Sequence, residues 1–238
     1  MNITKDNIVG QVVAQDYRTA TVFKTHQIDF CCRGNRTIDG VCKQNNLETD
    51  KFIDELNLCI QNSANHSANF HLWDIDLLTD YIEKNHHRYV EKRIPELKTY
   101  LNKIARVHGG RHPELIEVDE LFSASAYDLL HHMEKEETIL FPFVRKMAAG
   151  VYEEKPQFGA VINPISVMRE EHDNEGVRFR KIAKLTNNFT PPEDACTTYR
   201  VAFEMLKEFE EDLHQHIHLE NNILFPKAVA AENKYQLA

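Results

Sequence analysis

The residues best suited to chemistry in this chain are histidines and glutamates that occur in a repeated motif. His132 and Glu136 stand four positions apart and are followed closely by Ile-Leu-Phe-Pro, and the same pattern returns 84 residues later with His216 and Glu220. Residues four apart lie one above the other on a helix face, so each pair can offer a nitrogen and a carboxylate oxygen to one centre. The spacing therefore indicates a duplicated helical hairpin with two half-sites.

Two single histidines complete the half-sites. His87 and His172 lie 85 residues apart, close to the offset of the repeated motif. In four segments, apolar residues recur every three or four positions, as on the buried face of a helix, and histidine or glutamate interrupts each stripe at its middle level. The residues predicted to converge there are His87, His132, Glu136, His172, Glu175, His216 and Glu220, and Ile139 continues the stripe of the second segment.

Other polar residues of these segments are predicted to support the ligands or to lie in solvent. His86 lies about 100° off the stripe of its helix. Glu171 and Glu175 are candidates to hydrogen-bond the ligands from outside, and for Glu175 a salt bridge at the edge of the core is equally open. The histidines expected to be exposed or supporting, rather than ligands, are His131, His214 and His218.

Metal binding explains why such groups would converge in a core. Buried imidazoles and carboxylates without partners cost several kcal/mol each. If Glu136 and Glu220 both bridge, and an oxo or hydroxo group is shared, about ten of the twelve positions of two octahedral ions are filled. Imidazole and carboxylate ligands without thiolate favour iron over manganese or zinc. The sequence thus predicts two iron ions per chain, each with about one open position for chemistry or a small ligand.

The composition favours a soluble helical protein. The 238 residues are 42% hydrophobic and 27% charged, with a mean hydropathy of −0.50 and only 8 glycines and 8 prolines. No apolar run approaches the ~18 residues of a membrane span, and the low glycine and proline content argues against an all-β fold. The net charge of −9 argues against nucleic-acid binding. The absence of a secretory signal, together with five cysteines, predicts a cytoplasmic location.

The predicted fold is all-α, with a small N-terminal helical domain followed by an up-down four-helix bundle. Residues 1–60 contain short helical patterns, and the polar, aperiodic stretch 61–73 is the expected linker. The bundle is predicted to occupy residues 74–238. Its helices are expected at about 74–107 and 113–149, then from Asn163 and from about Thr190 onward.

The adjacent cysteines Cys31 and Cys32 are the other conspicuous feature. A disulfide between neighbouring residues is strained, so a reactive or metal-handling pair is as plausible as a structural one. Two reduced thiols that pack as small apolar groups remain equally open.

The chain resembles the ScdA/YtfE-type family of di-iron proteins that repair iron-sulfur clusters. The resemblance spans nearly the whole chain and is carried by four segments: Asp29 to Thr37 with the paired cysteines, His132 to Pro142, Pro164 to Asp173, and His216 to Pro226. It implies a small cysteine-bearing domain followed by a hemerythrin-like four-helix bundle with a non-haem di-iron centre. The implied ligands are His87, His132, Glu136, His172, His216 and Glu220, with both glutamates bridging.

The function implied by the resemblance is repair of iron-sulfur clusters damaged by nitrosative or oxidative stress, with iron donated from the centre. It also implies a cytoplasmic homodimer whose clients are damaged iron-sulfur proteins. Three other hypotheses remain open: a hemerythrin-like carrier or sensor of dioxygen or nitric oxide, a nitric oxide or nitrite reductase that would need an electron source, and a structural metal with Cys31 and Cys32 as a partner contact.

Overall fold

The computed structural model describes residues 3–62, 68–151 and 156–236, so part of the predicted linker, residues 63–67, lies outside them. The described ranges are predominantly helical and contain no β-strand, only an isolated bridge between Ile8 and Thr37. The all-α prediction is confirmed. The chain forms two compact units, one from Met1–Leu78 with Ile217–Ala238 and the other from Thr79–His216.

Short helices build the N-terminal part of the first unit. They are α1 (Val9–Gln15), α2 (Ala20–Thr25), α3 (Ile38–Gln44) and α4 (Thr49–Asn62), with 3₁₀ turns at Tyr17–Thr19 and Phe70–Leu72. Helix α3 follows the segment that contains Cys31 and Cys32. It begins where the Thr37 side chain accepts a hydrogen bond from the amide of Gly40, a common way of satisfying the first free N–H groups of a helix.

Two glycines let three segments of this unit approach closely. The Gly10 amide donates to the Gly34 carbonyl at 2.8 Å. A Cβ at Gly10 would lie 2.3 Å from Oδ1 of Asn222, and a Cβ at Gly34 would lie 2.3 Å from the Phe30 carbonyl. Asn222 Nδ2 in turn donates to the same Phe30 carbonyl at 3.2 Å. The loop around Gly34 is therefore held against both α1 and the helix that contains Asn222.

Four long helical stretches follow. The first runs through α5 (Ile75–Tyr81), a π-helical turn (Ile82–His87) and α6 (Arg88–His108), and the second through α7 (Glu114–Lys135), a π-helical turn (Glu136–Leu140) and α8 (Phe141–Ala148). The third is α9 (Ile162–Leu185). The fourth runs through α10 (Thr197–Leu219), a π-helical turn (Glu220–Leu224) and α11 (Phe225–Gln236). The boundary between the two units falls within α5 and again at the end of α10.

The core of the second unit is aromatic. Phe209 of α10 contacts Phe122 of α7 at a ring distance of 5.3 Å and Phe179 of α9 at 5.8 Å. Leu97 of α6 is also fully buried. Each such side chain contributes about 1.5–3 kcal/mol by leaving water, so this layer fixes the helices that carry the polar residues. Within the described ranges, no helix combines the length and the apolar character of a membrane-spanning segment.

The π-helical turns correct one detail of the predicted stripes. Ile139, expected on the buried face, is 48% exposed, whereas Leu140 is 1% exposed. A π turn inserts one residue into the helix and so rotates the residues that follow it. Pro142 explains the position of this turn, because proline donates no N–H and its ring crowds the carbonyl four residues earlier.

The fourth long helix also begins later than predicted. The sequence indicates a start near Thr190, but α10 begins at Thr197. Asn187, Asn188 and Phe189 adopt positive φ angles of 48°, 52° and 58°, which turn the chain sharply after α9. Pro191 is followed by Pro192, and a residue before proline disfavours the helical conformation. The chain therefore needs several more residues before the next helix can start.

Candidate metal centre

Two groups of four buried side chains converge in the structure. One ligand atom from each of His87, Glu136, His216 and Glu220 lies within 4.8 Å of the others, and the same holds for His132, Glu136, His172 and Glu220. Glu136 and Glu220 belong to both groups. These six residues are the predicted ligands. The four histidines are at most 3% exposed, and the two glutamates are 0% exposed.

Glu136 contacts a histidine of each group. Its Oε2 lies 3.4 Å from Nε2 of His87 and 3.4 Å from Nε2 of His132. Nε2 of His132 also lies 3.0 Å from Nε2 of His172. One carboxylate thus stands between two histidines that come from different helices.

Two outer carboxylates orient the histidines. Nδ1 of His87 lies 2.9 Å from Glu137 Oε1, and Nδ1 of His132 lies 2.8 Å from Glu171 Oε2. An imidazole that donates its Nδ1 proton to a carboxylate presents the lone pair of Nε2 to the other side. Both Nε2 atoms consequently face Oε2 of Glu136.

A basic residue backs each outer carboxylate. Arg88 Nη2 donates to Glu137 Oε2 at 2.9 Å, and the Lys135 ammonium contacts Glu171. The hydrogen bond from His132, helped by Lys135, lowers the pKa of Glu171 to about 2. Burial would raise the pKa of Glu137, but the hydrogen bonds from His87 and Arg88 outweigh it and lower the pKa. Both carboxylates are therefore anionic at neutral pH.

The donor set fits a metal ion. Nε2 of His87 is buried and takes part in no hydrogen bond among the described residues. With its Nδ1 directed to Glu137, this nitrogen faces Oε2 of Glu136 at 3.4 Å, and a cation bound by both atoms would satisfy the two of them. Neutral imidazole and carboxylate are ligands that iron accepts.

The π-helical turns position the ligands locally. His87 ends the first of these turns, whereas Glu136 and Glu220 begin the other two. Glu220 follows His216 by one turn of the same continuous helix. Single π turns inside α-helices occur often at functional sites because the extra residue redirects side chains. The two Ile-Leu-Phe-Pro motifs mark the second and third of these turns.

The position predicted for His86 from the helical period is wrong. Predicted to lie off the buried stripe, it is 3% exposed, its Nδ1 lies 2.9 Å from Asp212 Oδ1, and its ring stacks on His216 at 5.5 Å. The π turn that contains His86 and His87 brings both adjacent residues inward. In the sequence, the feature that could have indicated this burial is the adjacent pair of histidines, His86 and His87.

His218, expected to be either exposed or supporting, is buried. It is 1% exposed and packs between Tyr17 and Phe30, with ring distances of 5.7 Å to each. Burial lowers the pKa of His218 to about 3, so its ring is neutral. By contrast, His131 is 54% exposed and His214 is half-buried.

Glu175 is buried but contacts other partners than the ligands. The Ser125 hydroxyl donates to Glu175 Oε2 at 2.6 Å, and the Arg178 guanidinium forms an ion pair with the same carboxylate. Burial raises the pKa of Glu175 despite these contacts. Of the two glutamates expected to support the ligands, Glu171 is the one that contacts a predicted ligand, through His132.

The paired cysteines lie close together in the first unit. Their Sγ atoms are 3.7 Å apart, and Asp29 Oδ1 accepts the amide hydrogens of Cys31 and Cys32 at 3.2 and 2.9 Å. Contact with the Cys32 thiol and burial raise the pKa of Cys31 well above its usual value. Cys31 is consequently a protonated thiol at neutral pH. Asp29 with both cysteines forms a third group of possible metal ligands.

Family comparisons agree with this architecture. The family model of the hemerythrin HHE cation binding domain matches residues 79–228, and a domain of unknown function (DUF542, ScdA_N) matches residues 5–59. The predicted linker, 61–73, lies between the two matches. The helical bundle and its buried histidines and glutamates thus define a hemerythrin-type cation-binding protein.

Curated relatives specify the family further. The iron-sulfur cluster repair protein ScdA of Staphylococcus haemolyticus is 31% identical over 225 residues, which cover 94% of this chain and 99% of the relative. The iron-sulfur cluster repair protein YtfE of Yersinia pseudotuberculosis is 35% identical over 228 residues, or 96% and 99%, and that of Yersinia pestis matches equally. The chain belongs to the ScdA/YtfE family of iron-sulfur cluster repair proteins, which confirms the resemblance inferred from its motifs.

Proposed function

We propose that this chain repairs damaged iron-sulfur clusters by donating iron from a di-iron centre. The ligands are His87, His132, Glu136, His172, His216 and Glu220, and the two glutamates bridge the ions. The observation that carries the proposal is the sharing of Glu136 and Glu220 by two buried groups that otherwise contain different histidines. The names of the relatives supply the client class, iron-sulfur proteins.

The ligand set supports donation over permanent storage. Each ion would receive two imidazoles and a share of two carboxylates, which leaves positions of an octahedral ion for small molecules or for an acceptor. Bound in this set, iron is the cargo of the reaction. The protein's own contribution is to hold the imidazoles in one tautomer through Glu137 and Glu171 and to keep the ions within a water-poor core.

An anaerobic transfer assay tests the proposal. The full chain is loaded with ferrous iron, its iron is counted, and it is mixed with a purified iron-sulfur protein whose cluster has lost iron. Recovery of the acceptor's activity is compared for wild type, His132→Leu and His131→Leu. His131 is the matched control because it is the neighbouring histidine and is exposed.

The proposal predicts about two irons per wild-type chain and recovery that depends on His132 but not on His131. Recovery at the same rate with the His132→Leu chain would contradict it. So would iron that stays bound while nitric oxide or dioxygen binds reversibly, since this is the behaviour of a carrier or sensor.

A further inference from the structure

A cysteine and a histidine meet in the second unit where α6 ends and α10 begins. Nε2 of His108, the last residue of α6, lies 3.2 Å from Sγ of Cys196, which immediately precedes α10. Helix α6 has 21 residues, so at 1.5 Å per residue His108 lies about 30 Å along the helix axis from His87. The pair is therefore separate from the proposed metal centre.

The two members of the pair differ in their access to solvent. Cys196 is exposed, whereas His108 is only 7% exposed. Nδ1 of His108 is buried and has no hydrogen-bond partner among the described residues. The other ring nitrogen, Nε2, is the one that meets a polar group, and this group is a thiol that small molecules in solution can reach. A buried imidazole thus points at an accessible sulfur.

Packing fixes the ring of His108 in this position. Its centroid lies 5.5 Å from the ring of Tyr199, which is 1% exposed and belongs to the first turn of α10. Burial raises the pKa of Tyr199 to about 12, so its phenol is neutral at physiological pH. Turning the imidazole away from the sulfur would disturb this close-packed aromatic contact.

The charged side chains near the pair contact one another. Asp194 Oδ1 lies 3.0 Å from Nε2 of His112, and its Oδ2 lies 3.2 Å from Nη1 of Arg111. Partial burial would raise the pKa of Asp194, but the hydrogen bond from His112 and the charge of Arg111 lower it, so Asp194 is anionic. The charged and titratable residues at this end of the unit, besides His108 and Tyr199, are Arg111, His112, Glu114, Glu193, Asp194 and Arg200.

This arrangement suits a nucleophilic thiol. Cysteine attacks as the thiolate, and an imidazole within hydrogen-bond distance can take up the thiol proton. The carbonyl of Cys196 accepts the amide hydrogen of Arg200 at 3.1 Å, so Cys196 occupies the position just before the first turn of α10. The free N–H groups of that turn favour negative charge beside them. The thiolate would therefore be stabilised from two sides.

The distribution of cysteines favours a partner sulfur from solution. Cys196 is the one cysteine in Thr79–His216, since the other four lie in the first unit. No disulfide can form within the second unit. The reaction open to an exposed thiolate without a second thiol in its own unit is exchange with a small disulfide.

We infer that Cys196, with His108 as its general base, is a site of reversible modification by low-molecular-weight disulfides. The thiol proton passes to Nε2 of His108, and Sγ attacks one sulfur of the small disulfide. The S–S bond of that molecule breaks, a new S–S bond forms to Cys196, and the leaving sulfur takes the proton from His108 and departs as a thiol. Cys196 is oxidised, the departing half is reduced, and excess thiol reverses the exchange.

The test measures how fast oxidised glutathione modifies each cysteine of the full chain. Iron-loaded protein is incubated anaerobically with oxidised glutathione at pH 7, quenched with acid and digested at low pH, and the modified peptides are quantified by mass spectrometry. Cys196 should react about tenfold faster in the folded chain than in the chain unfolded in urea, because only a few per cent of an ordinary thiol is ionised at pH 7. Equal rates would overturn the inference without any variant.

Two substitutions identify the base. His108→Gln keeps a polar side chain but takes up no proton, so it should slow the modification of Cys196 about tenfold at pH 7. At pH 10, where thiols ionise without a base, the variant should react as fast as wild type. His112→Gln is the matched control, because His112 contacts Asp194 and Glu114 rather than the sulfur. It should leave both rates unchanged.

The pH comparison separates a base from a residue that only shapes access to the sulfur. Slowing by His108→Gln that is the same at pH 7 and pH 10 would assign His108 the second role and overturn the inference. Equal slowing by His112→Gln would overturn it as well. The inference does not depend on iron donation, so none of these results bears on the metal centre, and a failure of iron transfer would leave it intact.

Discussion

Nε2 of His132 lies 3.0 Å from Nε2 of His172, although the two residues stand 40 positions apart in the chain. Two imidazole nitrogens on adjacent corners of an octahedron, each about 2.1 Å from an ion, would also lie about 3.0 Å apart. The packing of α7 against α9 therefore already holds this pair at the separation that a shared ion requires. Such preorganisation means that binding needs little rearrangement of the helices.

Glu136→Gln should remove most of the bound iron from both positions. Glu136 Oε2 faces a histidine of each of the two buried groups, and an amide supplies neither the negative charge nor the second equivalent oxygen. The matched change Glu137→Gln should weaken binding by only about 10–100-fold, because Glu137 orients His87 without being a proposed ligand. Ferrous iron per chain after anaerobic dialysis measures both. Equal iron content in the two variants would refute the distinction between them.

Leu140→Ala should lower the free energy of unfolding by about 2–5 kcal/mol, since it leaves a cavity in the core beside a π turn. Ile139→Ala should change it by less than about 1 kcal/mol, because that side chain is 48% exposed. Urea unfolding of the metal-free chain gives both values. A larger loss for Ile139→Ala would mean that the helix continues past Glu136 without the inserted residue.

These π turns mark the limit of what the sequence could predict. A repeat with an offset of 84 residues and stripes at helical spacing pointed to the six residues that the structure brings together. A regular helical period assumes one constant rotation per residue, so it placed Ile139 inward and His86 off the stripe. The contacts of Glu137 with His87 depend on how two helices pack, and no periodicity within one helix encodes them.

Gly34→Ala should destabilise the first unit by about 1–3 kcal/mol, because the added Cβ would meet the Phe30 carbonyl at 2.3 Å. Gly110→Ala is the control, since no atom lies within 4 Å of a Cβ there. That change should leave stability unchanged or raise it by up to about 1 kcal/mol. Thermal unfolding followed by circular dichroism compares the two, and equal stability of both variants would contradict the close approach at Gly34.

Removal of iron should lower the melting temperature of the chain. A ligand at 100 times its dissociation constant stabilises the folded state by about 2.7 kcal/mol, which corresponds to about 5–10 °C for a domain of this size. The difference should grow with the concentration of free ferrous iron and be retained in His131→Leu. Calorimetry under anaerobic conditions measures it. Coincident melting curves with and without iron would show that these helices hold no ion in the folded state.

The iron content of His132→Leu, compared with that of His131→Leu, tests the metal centre at one of its proposed ligands. Both chains and the wild type are reconstituted anaerobically with ferrous iron, freed of excess metal, and assayed for iron and protein. A di-iron centre ligated by His132 should give about two irons per chain in the wild type and in His131→Leu, and at most about one in His132→Leu. Equal losses in the two variants, or a wild type without iron, would contradict the metal centre assigned to these residues.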